Sequence, residues 1–285
     1  MPPKIHGGWA IRMWLRVYIE LAVPGGLPTV VSHRAQSRAS TSRRANIVKD
    51  LIHTSAAAAL LGAVALGVAS PAKAVPINDP LGLCANPVAG KCVWGTGHPR
   101  SNVDIEFPAN TPLEQEVVDF ATKTANDYYA TEAPTRADPN PAGSSELRVT
   151  GTAYTSGTAP AGTETVVLKT VQNISGTAHP MTWYKAFPYN RATQAPITFD
   201  ALFAPGVKPL DVILPIVNEQ ISTSSGEPFA ADPAAGHDPA NYQNFAVTDD
   251  AVIFFFDKDE LRAATSDFQV SVPRSAIAPM LSPGI

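Results

Sequence analysis

The sequence predicts an α+β fold: an antiparallel or mixed sheet of several strands packed with two main helices, in a single compact domain that follows a signal peptide. Three observations support this fold class. Three strand-like runs follow one another with short turns, two segments repeat apolar residues at helical spacing, and a hairpin pattern comes after the second helical segment.

Residues 1–74 are expected to be an N-terminal extension and signal peptide that is removed on export. Basic residues precede an Ala- and Leu-rich run over residues 54–69, which is shorter than the ~20 apolar residues of a membrane-spanning helix. Ala72 and Ala74 supply the small side chains that signal peptidase binds. We expect cleavage between Ala74 and Val75, a secreted or cell-envelope protein and no stable membrane span, with an uncleaved anchor as the alternative.

The part of the chain that remains after cleavage is strongly acidic. Residues 75–285 hold 12 Lys and Arg against 23 Asp and Glu, which gives a net charge of −11. Such a body repels phosphate backbones and anionic lipid, so we expect no nucleic-acid partner. The sequence also lacks a phosphate-cradling Gly loop and the H-E-x-x-H and C-x-x-C motifs. We therefore expect no cofactor and no metal.

Residues 75–100 are rich in Gly and Pro and are predicted to be a loop segment. Cys84 and Cys92 are the two cysteines of the chain, and a cysteine pair in an exported protein predicts a disulfide. Free thiols or a metal pair are the weaker alternatives, since no second Cys/His pair follows at zinc-finger spacing. We expect the disulfide to hold this loop segment ahead of an α+β domain over residues 101–285.

The domain is predicted to open with a strand and a helix. Residues 102–107 alternate polar and apolar side chains, as a half-buried strand does. Thr111 can then cap a helix, and Glu114 completes a capping box with it. We expect this helix to end near Glu132, ahead of Pro134.

Three strands are predicted next, and their short connections favour an antiparallel meander. The strands are Glu146–Thr155, Thr163–Asn173 and Met181–Phe187. In the third strand, alternation places Trp183 and Phe187 on one face and Tyr184 on the other. We expect either that Tyr184, beside Lys185, contacts a partner protein or glycan, or that both faces of the strand are covered.

The rest of the chain is predicted to contain a second helix, a hairpin, a last strand and a short closing helix. These elements are placed at 211–224, at 245–248 with 251–256, at 268–272 and at 275–281. Gly226 is expected to terminate the second helix.

Eight ordered blocks within residues 100–285 resemble a known family. The blocks are Val166–Lys169, Thr177–Pro180, Thr182–Phe187, Pro196–Asp200, Leu214–Val217, Asp238–Asp250, Val252–Phe256 and Val272–Ile277. In this order they resemble the mycobacterial secreted immunogenic-protein (MPT/MPB antigen) family, whose C-terminal module is shared with RsiV-type anti-sigma factors. The resemblance implies a cleaved signal peptide, an α+β fold and export. It implies no established catalytic residues.

The resemblance also bears on function. In RsiV-type proteins the related module binds host lysozyme, but this sequence has no cytoplasmic sigma-binding part and no convincing membrane span, so lysozyme sensing does not carry over. Some secreted relatives are described as esterases, which keeps an enzymatic interpretation open.

An esterase of the common type carries its nucleophile in a G-x-S-x-G pentapeptide, which is missing here. A histidine-dependent site would have to use His98, His179 or His237 of the exported part. The weak candidates are His179 and His237 as the base and Ser275 as the nucleophile. Ordering a turn and capping the last helix are the simpler roles for His179 and Ser275.

These observations favour a secreted, non-enzymatic immunogenic protein that binds a host or cell-envelope macromolecule. The alternative is a secreted carboxylesterase that acts on short-chain esters with a non-standard Ser/His site.

Overall fold

The computed structural model of the protein describes residues 78–138, 143–263 and 265–285. The expected export segment and its cleavage point between Ala74 and Val75 lie outside the described residues. Within the described ranges, no helix is long and apolar enough to span a lipid bilayer.

The described strands form two sheets. The first contains, in spatial order, β1 (Lys91–His98), β2 (Ser101–Pro108), β3 (Ser145–Ser156), β4 (Thr163–Asn173), β5 (Met181–Asn190) and β6 (Ala195–Pro196). The second contains β7 (Phe245–Val247), β8 (Ala251–Phe256) and β9 (Phe268–Pro273). The helices are α1 (Glu114–Ala137), α2 (Phe199–Leu202), α3 (Leu210–Ser225), α4 (Pro233–Gly236) and α5 (Arg274–Ile277).

The first sheet is mixed. Strands β2 and β3 are parallel, with α1 in the connection between them, and all the other strand pairs of this sheet are antiparallel. The predicted meander is present as β3, β4 and β5. The predicted α+β class with a mixed sheet is therefore confirmed.

Helix α1 covers one face of the first sheet. Its buried side chains pack with alternate residues of β2, such as Val103 and Phe107, and with the even-numbered residues of β4, such as Leu168. Sequence analysis placed the end of this helix too early, because the helix continues through Pro134 to Ala137. A proline near a helix end removes one hydrogen bond at most, which the packed helix tolerates.

The start of α1 also differs from the prediction. The N-cap is Leu113, which makes no capping bond through its side chain. The Glu114 carboxylate instead accepts a hydrogen bond from the Asn110 N–H, at 3.1 Å. Thr111 therefore does not cap the helix, and the predicted capping box is wrong.

Helix α3 and the second sheet enclose a separate core rich in aromatic side chains. Phe254 and Phe256 of β8 are fully buried there, against Tyr242. Helix α3 ends at Gly226, whose φ of 73° is left-handed, so the predicted second helix and its glycine stop are confirmed. The predicted hairpin is β7 and β8, and the last strand is β9.

The second sheet covers part of the outer face of the first. Val167, Tyr184 and Ala186 of β4 and β5 pack against Ile253 and Phe255 of β8. This contact covers the β4–β5 side and reaches the end of β3, where the ring of Tyr154 lies 5.7 Å from that of Phe255. We call the remaining outer surface, on β1 to β3, the open face; the residues on it are Lys91, Val93, Gly95, Asp104, Glu106, Arg148 and Thr150.

The predicted loop over residues 75–100 needs a correction, because Lys91–His98 forms the eight-residue strand β1. Its sequence, with glycines at 95 and 97, has no apolar alternation of its own. Pairing along the whole of β2 supplies the missing stabilisation. The predicted disulfide between Cys84 and Cys92 is present and ties the start of this strand to the preceding turn.

Candidate functional site

His179 lies on the turn before β5, where it faces Lys258. The Lys258 Nζ atom is 2.9 Å from His179 Nδ1. Nζ also lies 3.4 Å from Nε2, and Nδ1 lies 3.4 Å from the carbonyl oxygen of Pro180. An ammonium group only donates, so the basic nitrogen of this ring accepts from Lys258. Because an ammonium group engages the basic nitrogen of His179, this setting does not favour a role as general base.

Ser275 lies inside α5 and is exposed. The helix begins one residue earlier, with Pro273 as its N-cap, so Ser275 is not the capping residue that sequence analysis expected. Among the described residues, no hydrogen bond joins Ser275 to His179 or to His237. The structure therefore does not assemble a Ser/His pair from the three candidates.

His237 has a different setting, at the end of α4 beside a cleft. We call this the α2–α3 cleft. Its apolar side chains come from α2, from the α2–α3 connection and from the start of α3, and its volume is about 550 Å³. The lining residues that matter below are Phe199, Phe203, Val207, Leu210, Asp200, Lys208, Asp211 and His237.

The tautomer of His237 follows from its neighbour. Its Nδ1 atom lies 3.1 Å from the carbonyl oxygen of Pro233. A carbonyl only accepts, so Nδ1 carries the proton and Nε2 remains a hydrogen-bond acceptor at the mouth of the cleft. Among the described residues that line this cleft there is no Ser, Thr or Cys. The arrangement can accept a proton or a hydrogen bond, but it offers no hydroxyl or thiol nucleophile.

A cluster of titratable side chains fixes the β8–β9 connection onto the first sheet. Tyr184 Oη and Lys169 Nζ both donate to Asp267 Oδ2, each at 2.7 Å. Burial raises the pKa of Tyr184, and its bond to Asp267 raises it further. Burial also raises the pKa of Asp267, but the two donated bonds outweigh this and hold the pKa below its ordinary value. The polar groups of Lys169, Tyr184 and Asp267 are bonded to one another, as in a structural contact. We call this cluster the clasp.

Two further acids complete this clasp. Burial raises the pKa of Asp257, although the Tyr184 N–H partly offsets this by donating to its carboxylate at 2.7 Å. Burial raises the pKa of Glu260 to about 7, against the opposing effect of the bond that the Asp257 N–H donates to it. Glu260 therefore couples the clasp to pH near neutrality.

The predicted partner contacts Tyr184 and Lys185 lie on opposite faces of β5. Tyr184 is buried between the sheets, with its ring 5.4 Å from that of Phe255. Lys185 is exposed on the face that also carries Phe187. The two side chains therefore do not form one surface.

The edges of the two sheets differ in their protection. In β9, Gln220 of α3 binds the backbone of Ser271 twice, accepting from its N–H at 3.0 Å and donating to its C=O at 2.5 Å. Strand β7 is completely buried. Strand β6 has two residues, of which Pro196 has no N–H to offer.

Strand β1 is the long edge without such protection. The backbone N–H and C=O of Lys91 bond to Val88, so they point away from β2. In an antiparallel ladder the direction alternates, so the same groups of Val93, Gly95 and Gly97 also point outward. These three residues are exposed, and within the described ranges none of their outward groups has a hydrogen-bond partner. Sequence analysis missed this edge, because it depends on which strands become neighbours.

Among the described residues, the group with a spacing suited to a metal is Cys84, Cys92 and Glu114. The two sulfurs are joined in the disulfide, so this group offers no thiolate ligands.

The comparisons with known proteins agree on the family. The model of a family described as "Protein of unknown function (DUF3298)" matches residues 200–275. Esterase Rv3036c of Mycobacterium tuberculosis is 42% identical over 228 residues, which cover 79% of this chain and 97% of that protein. Immunogenic protein MPB64 of Mycobacterium bovis and immunogenic protein MPT64 of M. tuberculosis are each 43% identical over 67% of this chain and 82% of theirs.

Two solved structures are also similar. A DUF3298 family protein from Pseudomonas aeruginosa is 12% identical, covers 68% of this chain and 94% of its own, and superimposes with a TM-score of 0.45. A DUF3298 family member from Bacteroides fragilis is 11% identical, with the same coverage and TM-score.

The resemblance found in the sequence is therefore confirmed. Relatives with more than 40% identity are matched over 82% or more of their own length. The chain belongs to the family of the mycobacterial immunogenic proteins MPB64 and MPT64 and of Esterase Rv3036c.

Proposed function

We propose that the chain is a secreted binding protein, and that an extended segment of a host or cell-envelope protein adds to β1 as a further strand. The uncovered edge of β1 carries this proposal. Proteins normally block a long exposed edge because it pairs readily with other chains. Here the other edges are blocked or buried, whereas in β1 the outward backbone groups of Val93, Gly95 and Gly97 are left available.

The side chains around the edge favour a basic segment. Gly95 and Gly97 carry no side chain, so a neighbouring strand can approach the backbone closely. Val93 is 49% exposed and offers an apolar contact. Asp104 lies in the next row of the open face, and Glu106 beside it is paired with Lys91. The net charge of −11 over residues 75–285 adds a general attraction for a basic segment. Main-chain hydrogen bonds would supply affinity for any extended segment, and these side chains would supply the preference for a basic one.

Calorimetry with two short peptides tests this function. Alternating Lys-Val and Glu-Val hexapeptides have the same strand propensity and opposite charge. We expect the Lys-Val peptide to bind more tightly. Val93→Pro should weaken that binding about tenfold, because it removes an outward N–H without breaking a bond to β2. Val93→Thr keeps that N–H and is the matched control.

Equal binding of both peptides, or unchanged binding by Val93→Pro, would count against strand addition. Binding of envelope glycans in place of peptides would replace it with a carbohydrate-binding function. Secretion is tested separately, since mass spectrometry of the protein released by its native host should find Val75 at the N-terminus.

A carboxylesterase is the second candidate, supported by the relative named as an esterase at 42% identity over 79% of this chain. His237 is the residue best placed to act as a base, through Nε2. Hydrolysis of short-chain p-nitrophenyl esters should then fall sharply in His237→Ala and persist in His179→Ala and Ser275→Ala. Loss of hydrolysis in Ser275→Ala with His237→Ala unaffected would move the site to α5. If the unaltered protein hydrolyses these esters no faster than an inert protein does, this candidate is ruled out.

A further inference from the structure

We infer that the α2–α3 cleft binds the acyl or alkyl chain of a neutral amphiphile, whose hydroxyl group donates a hydrogen bond to His237 Nε2. Its volume of about 550 Å³ lies in the range of sites that hold small ligands. The inference names a ligand class for the site of the second candidate function, and binding without hydrolysis is enough to satisfy it.

The cleft has an apolar floor. Phe199, Phe203 and Leu210 are nearly buried and present their remaining surface to it. Val207 is half-buried on its side. Covering a hydrocarbon chain with these four side chains gains free energy, and none of the four carries a polar group that would have to lose water.

The rim selects the polar end of the ligand. Because Nδ1 of His237 donates to the Pro233 carbonyl, at 3.1 Å, the free nitrogen is an acceptor and needs a donor from the ligand. Asp200 and Asp211 outnumber Lys208 among the charged side chains that line the cleft. A carboxylate would therefore be repelled by two like charges and would offer no donor. A hydroxyl group meets both conditions.

The test compares two eight-carbon ligands in solution with the full exported chain. 1-Monooctanoylglycerol carries hydroxyl groups, whereas octanoate carries a carboxylate on a similar chain. We expect monooctanoylglycerol to bind at least tenfold more tightly by calorimetry. His237→Phe removes the acceptor and should weaken its binding about three- to tenfold. His179→Phe changes an exposed histidine outside the cleft and should leave binding unchanged.

Photolabelling keeps the test decisive if a variant does not fold. A monoacylglycerol with a diazirine in its chain should mark peptides that contain residues 199–211, and excess monooctanoylglycerol should compete. Absent binding, labelling elsewhere, or tighter binding of octanoate would overturn the inference. Product analysis separates it from the esterase proposal, because bound ligand recovered intact supports binding while it contradicts hydrolysis.

Discussion

The two sheets of this protein differ in whether the backbone groups at their edges are covered. The second sheet is closed: β7 is buried, and Gln220 satisfies the outward backbone groups of Ser271 in β9. The first sheet is covered by α1 on one face and by the second sheet over part of the other, and it leaves the open face and the edge of β1 to solvent. A sheet that is sealed serves stability, whereas a sheet with an available edge can serve recognition. Four predictions follow the contrast, from the largest expected effect to the smallest.

Removing a core side chain from the second sheet should have the largest effect. Phe254 is fully buried and touches the rings of Phe199, Tyr242 and Phe245. Phe254→Ala should lower the free energy of unfolding by about 3–5 kcal/mol, because it leaves a cavity. Val93→Ala on the open face should change it by no more than about 0.5 kcal/mol. Urea denaturation measures both, and equal losses would contradict the contrast.

Removing the disulfide should be the next largest change. Replacing Cys84 and Cys92 by serine frees a loop closed over eight residues, which should cost about 2–3 kcal/mol by loop entropy. The loss should be local to the first sheet, since Cys92 belongs to β1. Amide exchange should therefore rise in β1 and β2 before β8. A uniform rise across both sheets would show that they unfold as one unit.

The clasp between the sheets should make stability depend on pH. Burial raises the pKa of Glu260 to about 7 in the folded protein, from an ordinary value of 4.5. The folded state therefore holds this proton more tightly than the unfolded state, so stability is fully present below pH 4.5 and falls as the pH rises through 7. The loss should be about 1–2 kcal/mol after allowance for partial exposure.

Glu260→Gln should flatten this decline, because the amide stays neutral and its oxygen still accepts from the Asp257 N–H. Glu219→Gln, on the exposed surface of α3, is the matched control and should keep the original slope. Urea denaturation at several pH values gives both slopes. An unchanged slope in Glu260→Gln would assign the pH dependence to other groups.

Unblocking the edge of the second sheet should have the smallest effect on stability. Gln220→Ala exposes the backbone groups of Ser271 and should cost about 1 kcal/mol. It should also give the protein a second available edge and increase concentration-dependent association, which analytical ultracentrifugation detects. Gln220→Glu is a useful comparison, since it can accept from the Ser271 N–H but cannot donate to its carbonyl. Unchanged association in Gln220→Ala would mean that Gln220 does not protect this edge.

The sequence predicted the elements with strong local patterns. The strand over 163–173 has the predicted bounds, and the second helix differs by one residue at each end. Hydrophobic alternation, helical spacing and a glycine stop are properties of neighbours in the chain. The family followed from ordered blocks of residues in the same way.

The parts that sequence analysis missed depend on tertiary contacts. Strand β1 has no apolar alternation and exists because β2 pairs with it. The α2–α3 cleft brings His237 beside residues about 30 positions earlier in the chain. No local sequence pattern predicts that these residues lie close together. The contact of His179 with Lys258 and the tautomer of His237, which depends on Pro233, likewise follow from partners that only the structure identifies.

Residue-resolved amide exchange tests the central claim most directly, namely that the first sheet has an available edge and the second does not. In the free protein, the N–H groups of Val93, Gly95 and Gly97 should exchange quickly, and that of Ser271 should be protected by Gln220. Addition of the Lys-Val peptide should slow exchange at the three β1 positions and leave Ser271 unchanged. Slow exchange of these β1 groups in the free protein, or peptide protection that appears in β9 instead, would contradict the claim.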